Sequence, residues 1–123
     1  MFNIALAVAL GAFGAHQLKT ILSEYKLSVF EKACDYLVFQ SLGIMLLLLL
    51  KSTTKFSLNK YVPVWLLIGT YVFSISVGIT AFSELDGCAG LSKAGIIAPL
   101  GGLSMILAWT MAAVSMFKWR AKQ

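Results

Sequence analysis

From Tyr61 to Phe82 the chain carries no charged side chain, and three other stretches are nearly as apolar. Met1 to about Leu18 is uncharged. About Ala33 to Leu50 contains only Asp35 and closes on IMLLLLL, and about Ala94 to Phe117 is uncharged again. A helix needs about 20 predominantly apolar residues to cross the hydrocarbon core of a bilayer, with roughly 17–25 tolerated. All four stretches meet that requirement, the first at its lower limit. An unpaired backbone amide cannot sit in lipid, so each stretch is predicted to be helical, and four helices with short connections make an up-down bundle. The expected fold class is all-α: a single transmembrane domain over residues 1–123, with helices near 1–18, 29–50, 61–82 and 94–117.

Composition argues the same way. Hydrophobic residues make up 59% of the chain and charged residues 12%, about half the charge of an average soluble domain. Two prolines and no Ser/Gly/Pro-rich tract leave no sign of a linker. The formal charge of +5 raises the question of nucleic acid, but the ten Lys and Arg flank the apolar runs in short clusters without interleaved aromatics. No nucleic-acid partner is expected. The bilayer is, with a homo-oligomer or a larger membrane complex as further partners. A secretory signal peptide over the first stretch would need a basic n-region, which Met1 to Ile4 lacks.

Orientation follows from the loops. Four crossings put the N-terminus, the middle loop and the C-terminus on one side. That side holds Lys51, Lys55, Lys60, Lys118, Arg120 and Lys122 and no acid; the other holds Lys19, Lys26, Lys32 and Lys93 with all five acids, Glu24, Glu31, Asp35, Glu84 and Asp86. The excess of Lys and Arg marks the cytoplasmic face. The expectation is a multi-pass protein of the cell inner (cytoplasmic) membrane with both termini cytoplasmic, or of the mitochondrial inner membrane if the source is eukaryotic. Trp65 and Trp119 fall near the basic side, as an aromatic belt requires. In the first outer loop, Ser28 and Glu31 have capping-box spacing, which predicts that the second helix starts at Ser28. Ile21, Leu22, Tyr25, Val29 and Phe30 then form an apolar side suited to the membrane interface.

Helices in lipid associate through small residues that let backbones approach. Three rows recur every fourth residue: Ala7, Gly11 and Ala15; Thr70, Ser74 and Gly78; Ala94, Ala98 and Gly102, with Gly14 and Gly101 adjoining the first and last. The second helix has no such row and is expected to turn more of its leucine-rich surface to lipid. Pro99 either kinks the fourth helix or marks its first turn.

Chemistry-bearing residues gather at the outer surface. His16, the only histidine, ends the first helix; Glu31, Asp35 and Tyr36 open the second, with Gln40 one turn deeper. An imidazole beside a carboxylate can relay protons or sense pH, and ionisable groups at membrane depth are functional candidates. A cap or an ion pair at the water boundary explains them equally, and both readings stay open. One histidine supplies one haem ligand, and His16, Cys34 and Cys88 lack zinc-ligand spacing. No cofactor or metal is expected. Cys34 and Cys88 fall on the same side, within reach of a disulfide in principle, but no C-x-x-C is present. No catalytic-serine or phosphate-loop motif occurs, so no enzyme is expected.

At GAFGAH the chain resembles a family of small four-helix membrane proteins of unknown function, the YgdD/YwdK-like family of bacteria with a mitochondrial relative in animals. FEKACDYLVFQSL is similar to that family's F-E-x-A-x-x-Y-x-x-x-H-A-L through Phe30, Glu31, Ala33, Tyr36 and Leu42. VFSIS resembles its F-S-G-S at Phe73, Ser74 and Ser76; APLGGLSMILAW resembles its last motif at Pro99, Gly101, Gly102 and Trp109. Gln40 stands where the family has a second histidine, Ile75 and Ala108 where it has glycines, and the N-terminus is shorter. The resemblance implies the fold and the bilayer, and no activity. Two functions follow as expectations: a non-enzymatic accessory or membrane-stabilising component, or a small proton-coupled transporter or exchanger working as a dimer, which would want an ionisable residue near the midplane.

Overall fold

A computed structural model describes residues 1–54 and 56–121; Lys55 and Lys122, which enter the charge count above, lie outside the described residues. Among those described there are four α-helices and no strand: α1 Phe2–His16, α2 Glu24–Thr53, α3 Tyr61–Ala81 and α4 Ala98–Arg120. Short 3-10 segments at Leu18–Thr20, Phe82–Glu84 and Ala89–Ile96 connect them. The chain is an all-α membrane bundle in which α3 packs on both α2 and α4, while α1 packs on α2.

Three helical stretches, those containing α2, α3 and α4, are long and apolar enough to cross a bilayer. At 1.5 Å per residue α3 and α4 rise about 32 and 35 Å, close to the roughly 30 Å hydrocarbon core. α2 rises about 45 Å, so its first turns, with Glu24, Lys26, Glu31 and Lys32, stand beyond the membrane. α1 differs from expectation. Its 15 residues rise about 22 Å, and its register sets it beside the outer part of α2: Gly14 faces Phe30, and Asn3 Oδ1 accepts the Tyr71 hydroxyl at 2.7 Å. At that length α1 falls short of the roughly 30 Å core, so the four crossings expected from the sequence are matched by three candidate spans among the described residues, and α1 is not one of them.

The start of α2 also differs. Ser23, not Ser28, is the N-cap: its backbone is extended and its Oγ accepts the Lys26 N–H at 3.3 Å. Ser28 lies inside the helix and donates to the Tyr25 carbonyl at 2.8 Å. The reason is tertiary, because the Ser23 N–H and hydroxyl both donate to the Glu84 carboxylate, fixing the cap against the far end of α3. The stretch expected along the interface is divided accordingly. Leu22 and Phe30 are buried in a core cluster with Leu18, Cys34 and Ala81, whereas Ile21 and Tyr25 are exposed. Pro99 occupies the first turn of α4, where its missing N–H is harmless; the fourth helix begins at Ala98 rather than near 94.

A second cluster closes the middle-loop end. Phe56 and Leu58 tuck beneath α3 and α4 with Leu47, Val62, Leu66, Met105, Ala108 and Ala112. The Phe56 ring meets Trp119 edge-on at 5.9 Å. Asn59 Oδ1 accepts the Tyr61 N–H at 3.0 Å in the turn that leads into α3. On α2, Leu46, Leu48 and Leu49 are exposed while Leu47 is buried.

The tightest approaches do not follow the every-fourth-residue rows. On α1, Ala7 and Gly14 are buried, whereas Ala15 is exposed and a Cβ on Gly11 would meet nothing within 4 Å. On α4 the buried face is Ala98, Gly101, Met105, Ala108 and Ala112, a three-and-four spacing that keeps one stripe toward α3. Ala94 is half-buried in the 3-10 segment before α4, and Gly102 is half-buried beside the Phe73 ring. The closest crossing pairs Gly101 with Gly69: a Cβ on Gly101 would lie 2.6 Å from the Phe73 nitrogen and 2.8 Å from the Gly69 oxygen. On α3, Thr70 and Ser74 are buried and Gly78 faces Ala33. α2 contributes Gly43, where a Cβ would lie 2.5 Å from the Trp109 ring.

Candidate functional site

The five polar residues singled out in the sequence separate into three places. His16 ends α1, exposed. With Gly14 against Phe30 and Leu27 in an antiparallel pair, His16 stands level with the first turns of α2, and Asp35 lies about 12 Å deeper along the helix axis. The two therefore share no level. Glu31 lines a polar crevice at the outer end with Ala15, Lys19, Glu24 and Ser28. Asp35 is exposed, one turn below Glu31 on the same face of α2.

Tyr36 and Gln40 turn to the other side of α2, toward α3 and α4. There they line a groove of about 370 Å³ with Phe73, Gly102, Trp109 and Thr110. Gln40 Oε1 accepts the Trp109 indole N–H at 2.8 Å, and the Tyr36 and Phe73 rings lie 4.6 Å apart. The indole fits because Gly43, one turn on from Gln40, has no Cβ to displace it. Burying a polar side chain in lipid requires a partner, and each of these two groups supplies the other's. Neither side chain is charged, and the bond links α2 to α4.

A network that the sequence did not reveal joins the outer ends of α2 and α3. Beyond the two Ser23–Glu84 bonds, Lys26 Nζ donates to the Ser83 hydroxyl at 2.8 Å and to the Thr80 carbonyl at 3.2 Å. The ammonium thereby satisfies a carbonyl at the C-terminus of α3, where the helix dipole favours a cation. Lys26 and Glu84 are 58 positions apart in the chain, and neither has a motif; only their shared placement at the outer ends of the second and third apolar runs could have suggested the pairing.

Cys34 is buried and Cys88 half-buried, and both are free thiols. Among the described residues no three His, Cys, Asp or Glu come close enough to hold a metal ion. Two buried hydroxyls, Ser41 Oγ and Ser74 Oγ, have no hydrogen-bond partner among the described residues.

Residues 10–102 match the family described as "Protein of unknown function (DUF423)". The chain belongs to that family. Relatives of the chain are named membrane proteins. A UPF0382 membrane protein of Staphylococcus saprophyticus is 36% identical over 94% of this chain and 91% of its own length. A UPF0382 membrane protein of Staphylococcus haemolyticus is 36% identical over 93% and 88%, and one of Staphylococcus aureus 33% identical over 95% and 90%. No solved structure matches the chain. The printed names carry the membrane and no activity.

Proposed function

We propose that this membrane protein is a non-enzymatic accessory component of the bacterial cytoplasmic membrane, with both termini cytoplasmic, acting by packing within the bilayer or against a larger complex. One observation carries the reading: the polar bond between α2 and α4 is the neutral Gln40–Trp109 pair. A proton-coupled carrier needs an ionisable group near the midplane; here His16 ends α1 at the outer side, and Glu31 and Asp35 lie in the outer half of α2. The orientation rests on the six-to-four distribution of Lys and Arg and on α1 counting as a fourth crossing beside the three candidate spans, and the bacterial relatives support the compartment. Exposed leucines on α2 and the groove beside Trp109 supply surface for lipid or a partner helix.

The test is purification of the tagged protein at native abundance in a mild detergent. A partner recovered in fixed stoichiometry, and lost in Gln40→Ala or Trp109→Ala, is the expected outcome. Recovery of the free chain alone, with or without prior cross-linking in the membrane, counts against the accessory role.

A further inference from the structure

The groove between α2 and α4 holds a hydrogen-bond donor that the fold leaves unused. An indole N–H can only donate, so the atom that Trp109 meets at 2.8 Å is the Gln40 carbonyl oxygen. The other end of the carboxamide, Nε2, then carries two N–H donors, and neither has a partner among the described residues. Gln40 is half-buried, and the unpartnered polar atoms sealed from the surface are Ser41 Oγ and Ser74 Oγ. Gln40 Nε2 therefore keeps open surface in the groove.

Its depth makes that donor costly. Gln40 lies about 10 Å inside the apolar run that begins near Ala33, and Trp109 about 12 Å inside the run that ends near Phe117. Both stand near the middle of the roughly 30 Å core, where neither water nor an acyl chain supplies an acceptor. The ester carbonyls of a phospholipid are held at headgroup level. A neighbouring helix has its own carbonyls bonded internally. An uncharged molecule that brings a carbonyl oxygen to this depth is the remaining source.

The walls narrow the choice. Tyr36, Phe73 and Trp109 surround the groove with three aromatic rings, and Tyr36 and Trp109 are 41% and 36% exposed. Gly102 leaves room between them: a Cβ there would meet only the Phe73 ring, at 4.0 Å. Aromatic rings gain most from another flat ring packed against them. The volume of about 370 Å³ suits a ring system rather than a whole lipid.

We propose that the groove binds the head of an isoprenoid quinone, its ring among Tyr36, Phe73 and Trp109, one carbonyl oxygen accepting from Gln40 Nε2, and its tail in the bilayer. The inference goes beyond the accessory role. The exposed leucines of α2 leave a protein partner another face, and the test uses pure protein, so either reading can fail without the other.

The full chain is reconstituted in phosphatidylglycerol–phosphatidylethanolamine vesicles and photolabelled with three diazirine-tailed probes: a naphthoquinone, a diacylglycerol and a phosphatidylglycerol. Saturable labelling by the naphthoquinone is expected on the peptides carrying Tyr36 to Gly43 and Gly102 to Thr110. The diacylglycerol, which has carbonyls but no ring, should label them at least fivefold less. Gln40→Leu should lower the quinone labelling about fivefold, the worth of one neutral hydrogen bond. That variant also releases the Trp109 indole, so Gly102→Leu is the second arm: it fills the groove, leaves the Gln40–Trp109 bond in place, and should abolish labelling. Equal labelling by either lipid probe, quinone labelling that survives both substitutions, or a dimer of the chain cross-linked through these peptides in place of a quinone adduct overturns the proposal.

Discussion

Replacing Gly101 by alanine adds one carbon at the closest crossing in the molecule. That carbon would lie 2.6 Å from the Phe73 nitrogen, 2.8 Å from the Gly69 oxygen and 3.0 Å from the Phe73 Cα. All three are backbone atoms, so no rotamer change relieves the contact. Optimal separation for such pairs begins near 3.5 Å, and α3 and α4 must part by roughly 0.5–1 Å. A gap of that size forfeits about a quarter to a half of the dispersion energy at each facing contact, and Met105, Ala108 and Leu66 all sit on this interface. Overpacked cores lose about 1–3 kcal/mol, and the rigid backbone places Gly101→Ala in the upper part of that range. Gly11→Ala is the matched control, because nothing lies within 4 Å of its added carbon; it should be neutral or slightly stabilising, by at most about 1 kcal/mol. Equilibrium unfolding of the full chain in mixed SDS–dodecyl maltoside micelles measures both. Equal stabilities for the two variants would contradict the crossing and restore the simple small-residue rows.

Other outcomes follow from the same contacts. A double-mutant cycle on Gln40→Leu and Trp109→Phe should show coupling of about 0.6 kcal/mol, up to about 1.7; strict additivity would remove the indole–amide bond. In intact membranes, maleimide should modify Cys88 in the outer loop well before the buried Cys34; the reverse order would place Cys34 outside the core. Glu84→Ala strips both acceptors from Ser23 and should speed hydrogen exchange over the first two turns of α2 while leaving its midpoint protected. Unchanged exchange there would show that Ser23 caps the helix unaided.

The spans were legible because lipid tolerates only long apolar helices, a demand that α3 meets over its whole length and α4 as far as Phe117. What failed was local. Ser28 and Glu31 have the spacing of a capping box, yet the cap is Ser23, since a carboxylate 61 positions away fills its donors. Adjacent glycines on α4 cannot be told apart by pattern: Gly101 meets backbone and Gly102 only the edge of a ring. Gly43 stands in no row at all, and its purpose appears only with Trp109 above it. The levels of His16 and Asp35 within the candidate polar cluster were hidden for a similar reason. Both lie near helix ends in the sequence, but the seating of Gly14 on Phe30 sets their levels apart.

Proteoliposome flux tests most directly whether the bundle is a passive, neutral-cored element. Wild type, His16→Ala and Asp35→Asn are reconstituted at matched density, and proton, monovalent-cation and lipophilic-cation movement is followed under an imposed gradient. All three should leak no faster than protein-free vesicles. Flux above that level in the wild type, lost in Asp35→Asn or His16→Ala, would make the protein a transporter.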